Sequence, residues 1–149
     1  MEPTQLSYIA GIIDGEGSIS IIRQVHTAHS AYYSYFGRVQ VGMTDKIIPA
    51  WLQAEFGGEL HLRKPSNPNW KERWDWTVNC QKALDFLEQV LPYLKIKKGQ
   101  AELVVEFQKN RPNGLHRTEF QKEDDAIIYD MCRGLNRRGV KNLVLQRSN

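Results

Sequence analysis

Residues 8–19 read YIAGIIDGEGSI, and this stretch decides the fold because it joins a helical pattern to the start of a strand. Apolar side chains recur in and just before it at the spacing of one helix face: Leu6, Ile9, Ile12 and Ile13. This spacing predicts a helix over residues 4–14, with Thr4 as its N-cap. Gly15 and Gly17 are expected to end the helix, since glycine often follows a helix C-terminus.

Two features of this stretch are unusual for a plain amphipathic helix. Gly11 lies inside the helix, where glycine costs about 1 kcal/mol relative to alanine, and close approach of another helix would explain it. Asp14 and Glu16 lie at the C-terminal end, where the helix dipole disfavours negative charge unless a cation compensates. Unpaired main-chain carbonyls there suit a hard cation such as Mg²⁺. From composition alone, a simple helix-to-strand turn with solvated acids remains the favoured alternative.

Working outward, alternating patterns predict two β-hairpins, and helical patterns with their breakers predict the connecting helices. The predicted order is α-β-β-α-β-β-α-α-α, with Asp45 capping the second helix. We expect both hairpins to share one antiparallel sheet with helices on one face, which makes an α+β domain. After the first helix, the predicted strands are 18–26, 31–43, 59–64 and 72–80, and the predicted helices are 46–56, 81–91, 98–109 and 122–135.

Length and composition favour one globular domain over residues 1–149. The net charge of +3 permits a nucleic-acid partner without requiring one. Cys80 and Cys132 are too few for a disulfide framework and lack metal-ligand spacing, as do the four histidines. No apolar run is long enough to span a membrane, and the N-terminus lacks the apolar stretch of a signal peptide. We therefore expect an intracellular protein, cytoplasmic or encoded within an organelle.

The complete string at residues 9–17, IAGIIDGEG, closely resembles the signature of the LAGLIDADG homing endonucleases, with five of its nine letters identical. The predicted element order is also similar to that family, and so is the basic segment 91–97 that precedes a late helix. The resemblance covers a core of about residues 5–109, whereas residues from about 110 to 149 are predicted only as a helical region. It implies the family's α-β-β-α-β-β-α fold, with a saddle-like antiparallel sheet.

The resemblance also implies a mechanism. Single-motif members form homodimers through the motif helix, which brings two copies of Glu16 together as metal-binding carboxylates. The Gly15 carbonyl would be a second ligand for Mg²⁺, with Mn²⁺ able to replace it and Ca²⁺ binding without supporting cleavage. Such a dimer would hydrolyse double-stranded DNA at a long, near-palindromic site and leave short 3′ overhangs. The dimer-interface residues implied by the motif are Ile9, Ala10, Gly11, Ile13 and Asp14.

Lys97 aligns with the family's active-site lysine, and Lys95 and Lys98 are the neighbours that a shift in register would select. Glu16 is one methylene longer than the family's usual aspartate but keeps its ligand chemistry. The glutamine that many members carry at the end of the second strand is not evident. Met43 falls at its position, and Gln40 lies nearby on a face that the sequence does not determine.

Strands in the major groove can read base edges with alternate side chains. The alternative is that these residues form only the solvated face of an antiparallel sheet, and for any one residue this is equally probable. The predicted DNA-binding residues lie in one phase of each strand: Ser20, Ile22, Gln24, His26, Ser34, Phe36, Arg38, Gln40, Glu59, His61, Arg63, Arg73, Asp75 and Thr77.

Two further readings of the chain compete with an endonuclease. One is an RNA-splicing maturase or non-cleaving DNA-binding protein on the same fold, against which the presence of Glu16 argues. The other is a plain structural or interaction domain, which leaves Gly11 and the paired acids unexplained.

Overall fold

The computed structural model describes residues 1–25, 33–111 and 117–137. The predicted order of helices and strands is confirmed, and a short 3-10 turn at Leu91–Tyr93 follows the third helix. The elements are α1 (Pro3–Glu16), β1 (Gly17–Val25), β2 (Tyr33–Met43), α2 (Ile47–Phe56), β3 (Glu59–Arg63), β4 (Arg73–Asn79), α3 (Cys80–Val90), α4 (Lys98–Lys109) and α5 (Glu119–Leu135).

Within the described residues, the four strands form one antiparallel sheet in the order β1-β2-β4-β3, so the two hairpins join through β2 and β4. One face of the sheet packs into the core, and its buried side chains alternate along the strands: Ile19, Ile21, Val39, Val41, Trp76 and Val78. The other face carries the remaining phase of each strand. The predicted alternation is therefore confirmed, and every described residue assigned to the DNA-reading phase lies on that second face, called here the open face.

The core lies between the sheet and the helices. Ile9, Ala10 and Ile13 of α1 are fully buried in it. Aromatic contacts extend the core toward α2 and α3, because the Phe86 ring meets the Trp76 ring edge-on at a centroid distance of 5.2 Å. Complete burial of a side chain of this size stabilises the fold by roughly 1.5–3 kcal/mol, so the inward phase of each element is strongly determined.

Three predicted helix starts need correction. Helix α1 begins at Pro3, so Glu2 rather than Thr4 is the N-cap, and the Gln5 side chain accepts a hydrogen bond from the Glu2 amide at 3.3 Å. The helix also continues to Glu16, which places Gly15 inside it. Lys46 rather than Asp45 is the N-cap of α2, although Asp45 Oδ1 still accepts a hydrogen bond from the amide of Ile47, the first residue of that helix, at 2.8 Å.

Helix α5 begins at Glu119, earlier than predicted, because Thr118 forms a capping box with Gln121. The helix packs against the first hairpin, where the Tyr129 and Tyr35 rings lie 5.5 Å apart. At its end, the Asn136 side chain donates to the Ile19 carbonyl at 2.9 Å. Helix α5, within the region predicted as helical after residue 110, thus packs on the β1–β2 hairpin.

No helix in the described ranges is long and apolar enough to cross a membrane. His26, which was predicted to bind DNA, lies outside the described residues.

Candidate active site and nucleic-acid interface

The candidate active site is the corner where α1 ends and β1 begins. A Cβ on Gly17 would lie 2.8 Å from the Cα of Ile13, so only glycine allows the chain to turn this tightly from helix to strand. Glu16 is the last residue of α1 and its side chain is exposed. The turn therefore presents a carboxylate to solvent at the negative end of the helix dipole.

Asp14 is half-buried and holds the segment that precedes α4. Its carboxylate accepts hydrogen bonds from the amides of Lys95 at 2.8 Å, Ile96 at 3.1 Å and Lys97 at 2.9 Å. Partial burial acts to raise the pKa of Asp14, but these amides and the charge of Lys97 outweigh it, so the pKa lies below its ordinary value. Asp14, which the motif implied at the dimer interface, thus binds backbone amides of its own protomer.

Lys97 lies across the end of α1. Its Nζ donates to the carbonyl oxygens of Ile13 at 2.8 Å and Asp14 at 2.7 Å in the last turn of the helix, and the Ile13 oxygen also accepts from the Gly17 amide. Burial lowers the pKa of Lys97, and the negative charges of Asp14 and Glu16 oppose that shift. Lys95 and Lys98 are exposed, so of the three lysines it is Lys97 that the fold brings to the motif.

The two faces of α1 have different surroundings, and this corrects the predicted interface at three positions. Ile9, Ala10 and Ile13 each have 0% exposure inside their own protomer and are not available to a partner helix. Gly11 and Gly15 lie one helical turn apart on the exposed face, and no described atom lies within 4 Å of the place where a Cβ would sit on either. Nothing described in the protomer therefore requires glycine there. Tyr8, 55% exposed, lies on the same face.

The oxygen donors at this corner suit a hard divalent cation. Glu16 supplies a carboxylate, and the last turn of α1 supplies main-chain carbonyls, including that of Gly15. Among the described residues, no group of three His, Cys, Asp or Glu side chains could hold a metal ion. The described residues of this corner thus provide one exposed carboxylate and main-chain carbonyls as oxygen donors.

The open face of the sheet carries ordered polar side chains. The Nε of Arg38 donates to the Asn79 side chain at 2.8 Å, and the Arg38 guanidinium lies 5.5 Å from the centre of the Phe36 ring. Ile22 is paired opposite Phe36, so a small apolar patch lies among the polar groups. Sequence reasoning missed Asn79, although extending the alternation of β4 by one step of two residues would have found it.

At the other end of the open face, two arginines meet one aspartate. Arg63 Nε lies 2.8 Å from Asp75 Oδ2, and Arg73 Nε lies 2.9 Å from Asp75 Oδ1. Asp75 is 3% exposed. This corrects its predicted role, because a buried carboxylate covered by two arginines cannot itself contact a base. Glu59 and His61 pair with each other on the adjacent edge strand, with a distance of 3.2 Å between Oε2 and Nε2.

Comparison with known proteins agrees with this geometry, although no protein-family model matches the chain. The chain is 27% identical over 131 residues to the DNA endonuclease I-CreI of Chlamydomonas reinhardtii. The alignment covers 85% of this chain and 72% of that protein. The chain is thus similar to a DNA endonuclease in sequence and shares its motif at residues 9–17 with the LAGLIDADG family.

Two solved LAGLIDADG structures share the fold. I-CvuI in complex with its target in the presence of calcium superposes with a TM-score of 0.75 and 23% identity, covering 93% of this chain and 85% of that one. The archaeal intron-encoded homing endonuclease I-Vdi141I, complexed with DNA, superposes with a TM-score of 0.75 and 18% identity, covering 95% of this chain and 90% of that one.

Many LAGLIDADG proteins carry a glutamine at the end of the second strand, and in this chain Met43 occupies that position. Met43 is half-buried and packs against the core, on the helix side of the sheet. Gln40 lies on the open face, opposite Ser18 in the register of β1 and β2. Gln40 therefore faces away from the core. At the end of β2, the apolar Met43 side chain lies where many family members carry the glutamine amide.

Proposed function

We propose that the protein is a sequence-specific endonuclease that hydrolyses double-stranded DNA at a long, near-palindromic site. The observation that carries this proposal is the corner of α1. Glu16 is exposed there beside the tethered ammonium of Lys97, next to a sheet face lined with polar side chains. The relative I-CreI is named as a DNA endonuclease, and the similar structures of I-CvuI and I-Vdi141I contain DNA.

The residues at the end of α1 have different proposed roles in catalysis. Glu16 and the Gly15 carbonyl would hold Mg²⁺, which polarises a phosphate and lowers the pKa of a bound water when it is present. Mn²⁺ should replace it, and Ca²⁺ should bind without supporting cleavage. Lys97 places a positive charge, fixed by two carbonyls, where it can stabilise negative charge that develops on the scissile phosphate. Asp14 keeps Lys97 in place through the backbone.

The exposed face of α1 supports a homodimer. Two copies of this face can approach closely because Gly11 and Gly15 carry no side chains, and a two-fold axis would use the same patch on both copies. That arrangement would set the two Glu16 carboxylates near the axis, one for each DNA strand. It would also make the target near-palindromic, and staggered cuts would leave short 3′ overhangs.

The open face supplies groups suited to direct readout of bases. Arginine matches the acceptor pair of guanine and glutamine matches adenine in the major groove. Arg38 and Gln40 lie side by side in phase on β2, and Ile22 and Phe36 offer apolar contact of the kind that a thymine methyl accepts. We propose that this face lies in the major groove.

Cleavage of a randomised DNA library with Mg²⁺, followed by sequencing of the ends, tests the activity. Wild type should yield one near-palindromic site. Glu16→Gln should bind that site with unchanged affinity in Ca²⁺ while cleavage falls on the order of 100-fold or more, as when one stabilising group is lost from an active site. Glu2→Gln, at the opposite end of α1, is the matched control and should cleave normally. Normal cleavage by Glu16→Gln would contradict the ligand role.

Tight and specific binding by wild type without cleavage in Mg²⁺ or Mn²⁺ would favour a second candidate, a non-cleaving nucleic-acid-binding protein on this fold. Met43 favours this second candidate, because its apolar side chain cannot donate a hydrogen bond that would orient an attacking water.

The dimer is tested by placing a large side chain on the exposed face of α1. Gly11→Leu should shift the protein from dimer to monomer in light scattering, because overpacking costs roughly 1–3 kcal/mol at each copy of a close contact. Gly134→Leu is the control, since Gly134 is a helical glycine with no described atom within 4 Å of its Cβ position. A wild-type monomer in the presence of DNA would contradict the assembly.

A further inference from the structure

The cluster of Arg63, Arg73 and Asp75 on the open face has an unusual distribution of exposure. The Asp75 side chain is 4% exposed, although it belongs to the solvent-facing phase of β4. The side chains that cover it are 64% exposed for Arg63 and 47% exposed for Arg73. A carboxylate is therefore buried beneath two arginines that themselves remain accessible.

The strand register explains why the carboxylate is needed. Arg63 and Arg73 are directly opposite each other in the pairing of β3 with β4, and like charges in such a pair repel. Asp75 Oδ2 accepts a hydrogen bond from Arg73 Nη2 at 3.4 Å, and the Nε atoms of Arg63 and Arg73 lie at ion-pair distance from Oδ2 and Oδ1 respectively. Most N–H groups of the terminal guanidinium nitrogens take no part in these contacts and remain for another partner.

The neighbouring strand leaves a space for this carboxylate. Gly42 of β2 is paired with Asp75, and a Cβ on Gly42 would lie 2.5 Å from Asp75 Oδ1. The guanidinium carbon of Arg73 lies 3.5 Å from the same point, so Arg73 extends across the glycine. The position of the aspartate thus depends on three strands, which makes it more rigid than a surface ion pair.

We propose that Asp75 is a positioning residue that orients Arg63 and Arg73 to read guanines in the major groove, and so sets base preference at two positions without touching DNA. The inference rests on the proposed function. An arginine held in one orientation loses less side-chain entropy when it binds, and its fork matches the two acceptors of guanine. The carboxylate also removes one net positive charge from the open face, which limits non-specific attraction to phosphates.

The test is the base preference of each variant, measured by binding to a randomised site in Ca²⁺ and sequencing the bound DNA. Arg63→Ala and Arg73→Ala identify the positions that each arginine reads. Asp75→Asn should reduce preference at those same positions roughly tenfold, the scale of one lost bidentate contact, and leave the others unchanged. Its non-specific affinity should rise, because a negative charge is lost.

Two further variants separate orientation from charge. Glu72→Gln removes a carboxylate from the same hairpin, and Glu72 pairs only loosely with Lys64, at 3.9 Å. It should raise non-specific affinity as Asp75→Asn does while keeping the wild-type preference. Gly42→Ala displaces the Asp75 carboxylate without changing the charge, so it should lower preference at the two positions. Gly42→Ala also tests the inference if Asp75→Asn folds poorly.

Wild-type preference at the two positions in both Asp75→Asn and Gly42→Ala would overturn the inference, as would a uniform loss at every position. If Arg63→Ala and Arg73→Ala alter base preference at no position while wild type remains selective, the inference is wrong but the proposed function stands. A wild type without any base preference would remove the proposed function together with it.

Discussion

Asp14 and Asp75 each hold basic residues, but they hold different parts of them. Asp14 accepts from three consecutive backbone amides and thereby fixes the chain at residues 95–97. Asp75 instead contacts the guanidinium groups of Arg63 and Arg73 directly. Both carboxylates organise positive charge, one at the active-site corner and the other on the open face of the sheet.

The difference indicates what each carboxylate controls. A backbone anchor sets where a segment runs, so its loss should displace Lys97 and weaken catalysis and stability together. A side-chain anchor sets only how two long, flexible groups point, so its loss should alter selectivity more than rate. The comparison also shows that a single buried or half-buried acid is not by itself a sign of catalysis.

The largest effect is expected from removing the backbone anchor. Asp14→Ala should slow single-turnover cleavage on the order of 100-fold and lower the free energy of unfolding by about 2 kcal/mol, because three amides lose a charged acceptor. Rapid-quench cleavage and thermal unfolding measure the two effects. Asp75→Ala is the counterpart and should cleave its preferred site at a rate close to wild type. Equal loss of rate in both variants would erase the distinction.

Lys97→Met tests how much the positive charge of Lys97, held by the segment at residues 95–97, contributes to cleavage. Cleavage should fall roughly 10–100-fold, because a fixed positive charge near the scissile phosphate is lost while the apolar stem is kept. The measurement is single-turnover cleavage at saturating Mg²⁺. Lys98→Met, which removes an exposed charge one residue later, should change the rate much less. Identical losses in the two variants would mean that only the overall positive charge of this segment matters.

The pH dependence of stability should distinguish Asp14 in a second way. Its pKa is lower in the folded protein than in the unfolded chain, so its contribution is complete above the unfolded pKa. The contribution is lost as pH falls through the folded pKa. The Tm difference between wild type and Asp14→Asn should be constant from about pH 8 to pH 5 and shrink below about pH 4. A difference that grows toward low pH would contradict the assigned hydrogen bonds.

The smallest effect concerns the stability supplied by the arginine cluster. A double-mutant cycle of Asp75→Ala with Arg63→Ala should give a coupling of roughly 0.5–1 kcal/mol, because the arginine is mostly in solvent. The coupling should decrease when ionic strength is raised from about 0.1 M to about 1 M. The stability loss of Asp14→Ala should change less, since its partners are backbone amides. A salt-independent coupling at Asp75 would make the two anchors alike.

Much of the fold could be predicted because local patterns and burial agree. Apolar spacing in residues 4–14 and strict alternation in β2 each have one phase that can be buried, so element type and facing follow from the residues alone. The motif then assigned Glu16 and Lys97 to one site, although they are far apart in the chain. Lys97 does lie at the end of α1, where its Nζ donates to the carbonyls of Ile13 and Asp14, and its shared role with Glu16 stays a prediction.

Predictions failed where partners come from distant parts of the chain. The motif could not show that Ile9, Ala10 and Ile13 face the core of their own protomer while Gly11 and Gly15 face outward. That division depends on where the sheet and α3 lie against α1. Similarly, alternation placed Asp75 correctly on the open face but could not show that Arg63 and Arg73 bury it, since the strand register decides which side chains meet.

The sequence by itself determined the order of elements, the phase of each strand and the acids at the end of α1, because these depend on nearest neighbours and on periodicity. Only the tertiary structure decided that Asp14 binds the backbone of residues 95–97, that Met43 packs inward, and that Asp75 lies beneath two arginines. Hydrogen bonds and ion pairs of these kinds join residues whose separation is set by packing, and packing is a property of the whole fold.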